Sequence, residues 1–206
     1  NVVATTGQIA DAVKIISGDK INVTTLMGPG VDPHLYKATQ SDMKVLDDAE
    51  VIFYNGLHLE GQLNDIFQQM SKDKTVFAAA EVLAADKLLE DEEDNSLHDP
   101  HVWFDIELWK DVVDGIGDTL VEEYPEHKEE FEKNEKAFLH ELDALATFAK
   151  ERVAEVPEEQ RILVTAHDAF NYFGDSLGFE VRGLQGLSTE SEYGVKDVED
   201  MVKYLV

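Results

Sequence analysis

Residues 1–27, NVVATTGQIADAVKIISGDKINVTTLM, pass from one β-type run through a helical period into a second β-type run. Val2 to Thr6 reads as a strand, Gly7 to Ser17 as a helix with Ile9, Val13 and Ile16 on one face, and Ile21 to Met27 as a strand. The rhythm continues outward. A helix is predicted over Ser41 to Ala49, capped by Ser41, and short buried strands over Val51 to Tyr54 and Thr75 to Ala79, with a helix Gln62 to Met70 between them. Strand, helix and strand in repetition predict an α/β fold with a mostly parallel sheet.

After Pro125 comes the longest periodic segment. Phe131, Phe138, Leu142, Leu145, Ala149 and Val153 form one apolar stripe, and Glu129, Glu130, Glu132, Lys133 and Lys136 occupy the opposite face. A helix of about 28 residues spans ~42 Å, longer than one small domain needs, so it reads as a rigid spine between two bodies. Beyond Arg161 the α/β rhythm resumes with strand Ile162 to Thr165, helix Asp168 to Leu177, strand Glu180 to Arg182 and helix Val195 to Leu205. Two strands are few for a parallel sheet covered on both faces, so this second unit reads as unfinished. The expected division is an N-terminal α/β lobe over 1–124, a linking helix over 125–156 and a partial C-terminal α/β lobe over 157–206. Residues 86–98, DKLLEDEEDNSLH, lack periodicity and read as an exposed acidic loop.

The chain has 206 residues, 43% of them hydrophobic, enough for a sizeable core. Its 44 acidic and 17 basic residues give a formal charge of −27, which repels phosphate backbones and anionic membranes and excludes nucleic acid as an expected partner. The same acidity fits a solvated, salt-tolerant surface, and is compatible with steering of cations. There is no cysteine, so a metal would sit on nitrogen and oxygen ligands. No apolar run approaches the ~18 residues of a membrane span. The sequence opens on Val2-Val3-Ala4 without a charged-then-apolar leader, so an export signal is expected to be removed or never present.

Asp-Pro-His occurs twice, at Asp32-Pro33-His34 and at Asp99-Pro100-His101. Chance gives a particular tripeptide roughly 0.01 to 0.02 times in such a chain, so the repeat predicts a repeated local geometry. His34 follows Gly28-Pro29-Gly30, a loop with a fixed backbone after a strand, where ligand sites of open α/β sheets lie. His101 is anchored by Val102-Trp103-Phe104, and His167 closes the strand before a helix that Asp168 could cap. Three neutral imidazoles, joined by a carboxylate, suit Zn²⁺ or, with more oxygens, Mn²⁺. Each histidine also has a plain reading, as a surface loop or strand-end residue. His98 and His58, the latter with Glu60 nearby, are weaker ligand candidates, and His127 and His140 are expected to face solvent on the charged helix.

The segments TLMGPGVDPHLYKATQSDMKVLDDAEVIFYNGLHLEG, DPHVWFDIELW and TAHDAFNYFGDSLGFEVRGLQGLST resemble the metal-binding solute-binding proteins of manganese and zinc ABC transporters, and the likeness covers nearly the whole chain. That resemblance implies two Rossmann-like lobes with parallel sheets, joined by one long helix, with the metal in the cleft between them. It assigns His34, His101 and His167 as ligands of a transported Zn²⁺ or Mn²⁺. It places a fourth, acidic ligand past Val206, so the chain reads as a truncated or partial member that binds metal more weakly than an intact one. It also implies an extracytoplasmic monomer that delivers its ion to a membrane permease, touching the membrane only through a possible lipid anchor outside this chain.

For such a carrier, binding is the function, with the ion as the latch of a small closure. Affinity should fall as pH drops through ~6.5, unless neighbours move the histidines. Two rival readings stand beside it: a zinc-dependent hydrolase with water in an open position, and an α/β domain without metal. Against an enzyme, the chain lacks a metalloprotease histidine pair, a glycine-rich nucleotide loop and a serine nucleophile elbow.

Overall fold

The structure, a computed structural model, describes residues 1–91, 96–190 and 193–205. Four strands, β1 (Val2–Ala4), β2 (Val23–Thr25), β3 (Val51–Tyr54) and β4 (Thr75–Ala78), form a parallel sheet in the order β2-β1-β3-β4. Val2, Ala4, Val51 and Phe53 face a core built with α1 (Gly7–Ser17), α4 (Ile106–Glu123) and α5 (Lys128–Val153). The alternate residues Val3 and Ile52 face a second core with Leu46 of α2 (Gln40–Asp47) and Phe67 of α3 (Asn64–Met70). Apolar residues on both faces explain why these strands read as continuous hydrophobic runs. The chain leaves β1 for β2 on one side and returns to β3 on the other, so the carboxyl ends of β1 and β3 flank the point where the order reverses. Open α/β sheets place ligands there.

A smaller parallel sheet pairs β5 (Ile162–His167) with β6 (Glu180–Gln185), flanked by α6 (Asn171–Leu177) and α7 (Val195–Leu205). Its cover is incomplete among the described residues. Ile162 and Val164 on β5 and Val195, Val198, Val202 and Leu205 on α7 are exposed.

Several boundaries shift for local reasons. Helix α2 begins one residue before Ser41, and its cap is Thr39, which forms a capping box with Asp42. Asp168 does not cap α6, which begins at Asn171 after Phe170. Strands β5 and β6 run further than their apolar cores, to His167 and Gln185, because Gly183 lets β6 pass against Asp168, where a Cβ would meet its backbone nitrogen at 2.8 Å. In the acidic stretch 86–98, residues 92–95 lie outside the described ones, and Glu90 and His98 form an isolated antiparallel bridge.

Helix α4 is absent from the sequence reading, yet it is central. Asp105 caps it by accepting from the backbone of Glu107 and Leu108, and Val112, Val113, Ile116 and Leu120 are fully buried. Its pattern was legible by the same 3.6-residue period that reveals α5. Helix α5 follows a 3₁₀ turn at Pro125–His127 and runs 26 residues, about 39 Å at 1.5 Å per residue. Its buried residues are Phe131, Leu142 and Ala146. Leu145, expected in the stripe, is 48% exposed, because the buried face of α5 runs through Phe131, Leu142 and Ala146 and position 145 lies one step off it. His127 is half-buried on the ring of Phe131 rather than facing solvent, whereas His140 is exposed.

Phe131→Ala should therefore cost about 3–5 kcal/mol, and Leu145→Ala well under the cost of a core truncation. Urea unfolding of the two variants beside the parent chain checks the contrast.

Candidate metal site

Each Asp-Pro-His closes the same small turn. The backbone N–H of His34 donates to Asp32 Oδ1 at 2.9 Å, and that of His101 donates to Asp99 Oδ1 at 2.9 Å. Aspartate folds back on the amide two residues on because its short side chain reaches no further. The repeat in sequence is thus a repeat in conformation. The first turn follows β2 and the second precedes a 3₁₀ turn, Val102–Phe104, whose Val102 is fully buried and whose Trp103 ring lies 5.3 Å from that of His101.

His101 is locked further. Its Nδ1 lies 2.7 Å from Asp99 Oδ1, with both side chains buried. A carboxylate only accepts, so Nδ1 carries the proton and Nε2 keeps its lone pair. Asp99 is held in turn: Asn171 Nδ2 donates to its Oδ2 at 3.2 Å and Tyr172 Oη to its carbonyl at 2.9 Å. From the other side, Asn55 Nδ2 donates to the carbonyl of Pro100 at 3.0 Å.

His167 ends β5 opposite Gln185, and its Nδ1 donates to the carbonyl of Gly186 at 3.0 Å. The same logic leaves its Nε2 as an acceptor. The three rings then form a nearly equilateral triangle, with centroids 5.3, 5.3 and 5.1 Å apart. One nitrogen from each lies within 4.8 Å of the other two. His34 Nε2 and His101 Nε2 are 3.3 Å apart, matching the edge of about 3.3 Å that two Zn–N bonds of ~2.05 Å subtend at a tetrahedral angle. No carboxylate joins this cluster among the described residues.

The triad faces a cleft of about 970 Å³ at the carboxyl ends of β1 and β2, bordered also by Thr6, Met27, Leu59 and Phe170. His34 is 6% exposed and His101 2%. Burial, and then the neighbouring rings of His101 and His167, push His34 down from the usual histidine range to about 4. Burial, then His101, also lowers His167. Both remain neutral, and able to bind a cation, further into acid than free imidazole.

The weaker candidates fall elsewhere. His98 belongs to the bridge with Glu90, outside the triad. His58 is exposed, in a left-handed conformation (φ 63°), and its Nδ1 accepts from Asn64 Nδ2 at 2.9 Å. Glu60 is 1% exposed and braces its own loop: Oε1 accepts from Thr5 Oγ1 at 2.6 Å and from the backbone of Asn55 at 2.8 Å, and Oε2 from that of Gly56 at 3.2 Å. Sequence reasoning missed the supporting residues Asn55, Asn171, Tyr172 and Gly186. Only the aspartates of the tripeptide carried a local signal.

Comparison with known proteins agrees over the whole chain. A family model described as the periplasmic zinc-uptake complex component A, ZnuA, matches residues 2–206. The manganese-binding lipoprotein MntA of Bacillus subtilis (strain 168) is 49% identical over 204 residues, covering 99% of this chain and 66% of that protein. The zinc-binding protein TroA of Treponema pallidum (strain Nichols) is 42% identical over 204 residues, with the same 99% and 66% coverage. The solved structure of periplasmic TroA matches with a TM-score of 0.96, covering 99% of this chain and 73% of that one. The chain thus spans just under two thirds of the length of these curated relatives.

Burial of neutral His34 makes the metal-free protein acid-sensitive in a defined window. Unfolded, the ring takes a proton near 6.5; folded, only near 4. Between these values the unfolded state binds more protons, so this contribution to stability is present above pH 6.5 and is lost as pH falls toward 4. In chelator, the urea midpoint of the parent chain should drop more steeply over that interval than that of His34→Gln; parallel slopes would contradict the assignment.

Proposed function

We propose, for a chain that belongs to the periplasmic zinc-uptake complex component A family, that it captures a divalent transition metal and delivers it to the membrane permease of an ABC transporter. The carrying observation is the convergence of three ring nitrogens within 4.8 Å, two of them with tautomers set by acceptors behind them. In this reading His34, His101 and His167 are the ligands. The 1–124 lobe supplies the first two, the 157–206 lobe the third, and the 125–156 helix joins them. The ion is cargo, and the protein's contribution is to hold three imidazoles neutral and aimed at one point.

Zn²⁺ and Mn²⁺ are both candidate cargo. The relatives are named for manganese in MntA and for zinc in TroA, and imidazole nitrogens serve either ion. The place of work is extracytoplasmic, at a surface or in a periplasm, through a lipid anchor outside this chain, and the working unit is a monomer. A continuous helix between the lobes resists bending, so capture closes the cleft by a small movement. The hydrolase alternative finds no support in these matches, which are to metal-uptake components.

Titration calorimetry of the chelator-stripped chain with Zn²⁺ and with Mn²⁺ should show one ion bound per chain. Binding should be abolished in the triple alanine variant of His34, His101 and His167; unchanged binding there would reject the site. Asp99→Asn keeps the shape but loosens the His101 tautomer, and should weaken affinity about 10- to 100-fold. Saturable ester or peptide turnover with Zn²⁺, lost in His101→Ala, would overturn the carrier reading.

A further inference from the structure

Each tripeptide aspartate spends one oxygen on its own turn and presents the other to the segment that carries His167. Asp32 Oδ1 accepts from the backbone of His34, and Asp32 Oδ2 accepts from Thr189 Oγ1 at 2.6 Å, across 157 residues of chain. Asp99 Oδ1 serves His101, and Asp99 Oδ2 accepts from Asn171 Nδ2 at 3.2 Å. Both donors are close to His167 in structure. Asn171 opens α6, four residues after it. Thr189 sits in the turn after β6 whose Gly186 carbonyl sets the His167 tautomer, and Gln185 Nε2 closes that turn on the Thr189 carbonyl at 3.0 Å.

We propose that Thr189 and Asn171 are positioning residues that govern how long the ion is retained, by hooking the turns around His167 onto the turns of His34 and His101. The inference rests on the metal-carrier reading above and deepens it. His34 and His101 lie in loops at one edge of the four-stranded sheet, beside Met27 and Val102, which are buried in the cores on its two faces. His167 comes from the other sheet, and its distance from them depends on contacts across the cleft. A hydrogen bond to a carboxylate is short, directional and stronger than one between neutral groups. With both hooks made, the third imidazole stays at the ion; with one released, the turn carrying it is freer to withdraw. The effect falls on dissociation, because encounter with the open cleft does not require the hooks.

Thr189→Val removes the hydroxyl at nearly constant volume and leaves Asp32 to shape the His34 turn, while Thr189→Ser restores the donor. Stopped-flow transfer of Zn²⁺ from the loaded chain to a chelating dye should be about tenfold faster for Thr189→Val, the scale of one hydrogen bond to a charged group, with association unchanged. Thr189→Ser should return to within about twofold of the parent rate on the same scale. Asn171→Ala provides a second, independent arm with the same expected acceleration. Parent-like release from both Thr189→Val and Asn171→Ala would overturn the proposal, as would slower association with unchanged release. Calorimetry of the parent chain separates the two ideas: no Zn²⁺ bound there rejects the carrier reading and this inference with it, whereas normal parent binding with unaltered variants rejects the hooks alone.

Discussion

The contact between His101 Nδ1 and Asp99 is the interaction on which the rest of the site depends. Asp99 is fully buried, and no lysine or arginine pairs with it among the described residues. Its negative charge is instead held by donors: the backbone and ring of His101 and the amide of Asn171. Tyr172 and Asn55 fasten the adjoining carbonyls of Asp99 and Pro100. The Asp99 carboxylate therefore links the second tripeptide turn to the start of α6, and the Pro100 carbonyl links the same turn to the loop after β3. Asp99 also settles where the ring proton lies, and with it which nitrogen faces the cleft.

Such a site needs a frame that does not yield when a cation enters. The parallel sheet is packed on both faces, with α1, α4 and α5 on one side and α2 and α3 on the other. Parallel strands end together, so the loops after β1, β2 and β3 open at one edge, where His34 and the brace of His101 are found. Asn134 on α5 donates to the carbonyl of Ile16, tying the long helix to the end of α1. The smaller sheet contributes less burial, and its segments reach the first through both tripeptide aspartates as well as through Tyr172 and Glu190, so the geometry of the triad is set across that boundary. Burial, and then the neighbouring imidazoles, lower the proton affinity of His34 and His167, which leaves their nitrogens available to a cation below the usual histidine range.

Much of this was legible in the chain. The 3.6-residue period gave α1 and α7 their bounds, and two-sided apolar runs marked β1, β3 and β4. Errors came where local signals competed. Thr39 and Ser41 are both good caps, and the box with Asp42 selects the first. Leu145 matches the helical period, but no partner element covers it. The α4 pattern is present in the sequence, with Val112, Val113, Ile116 and Leu120 at helical spacing. The resemblance of three segments to metal-binding solute-binding proteins agrees with the family match over residues 2–206.

By itself, the sequence determined which groups could bind a metal and how each is presented locally, because a turn closed by an aspartate two residues before its histidine is a short-range event. It also determined the parallel α/β class, because periodicity and crossover length are local quantities. Tertiary structure alone decided that residues 34, 101 and 167 meet, and that Thr189 and Asn171 reach the two aspartates. Those facts rest on contacts between residues 66 to 157 positions apart. Such contacts are set by how two sheets and a helix pack together, and packing depends on complementary surfaces that no short stretch of chain contains.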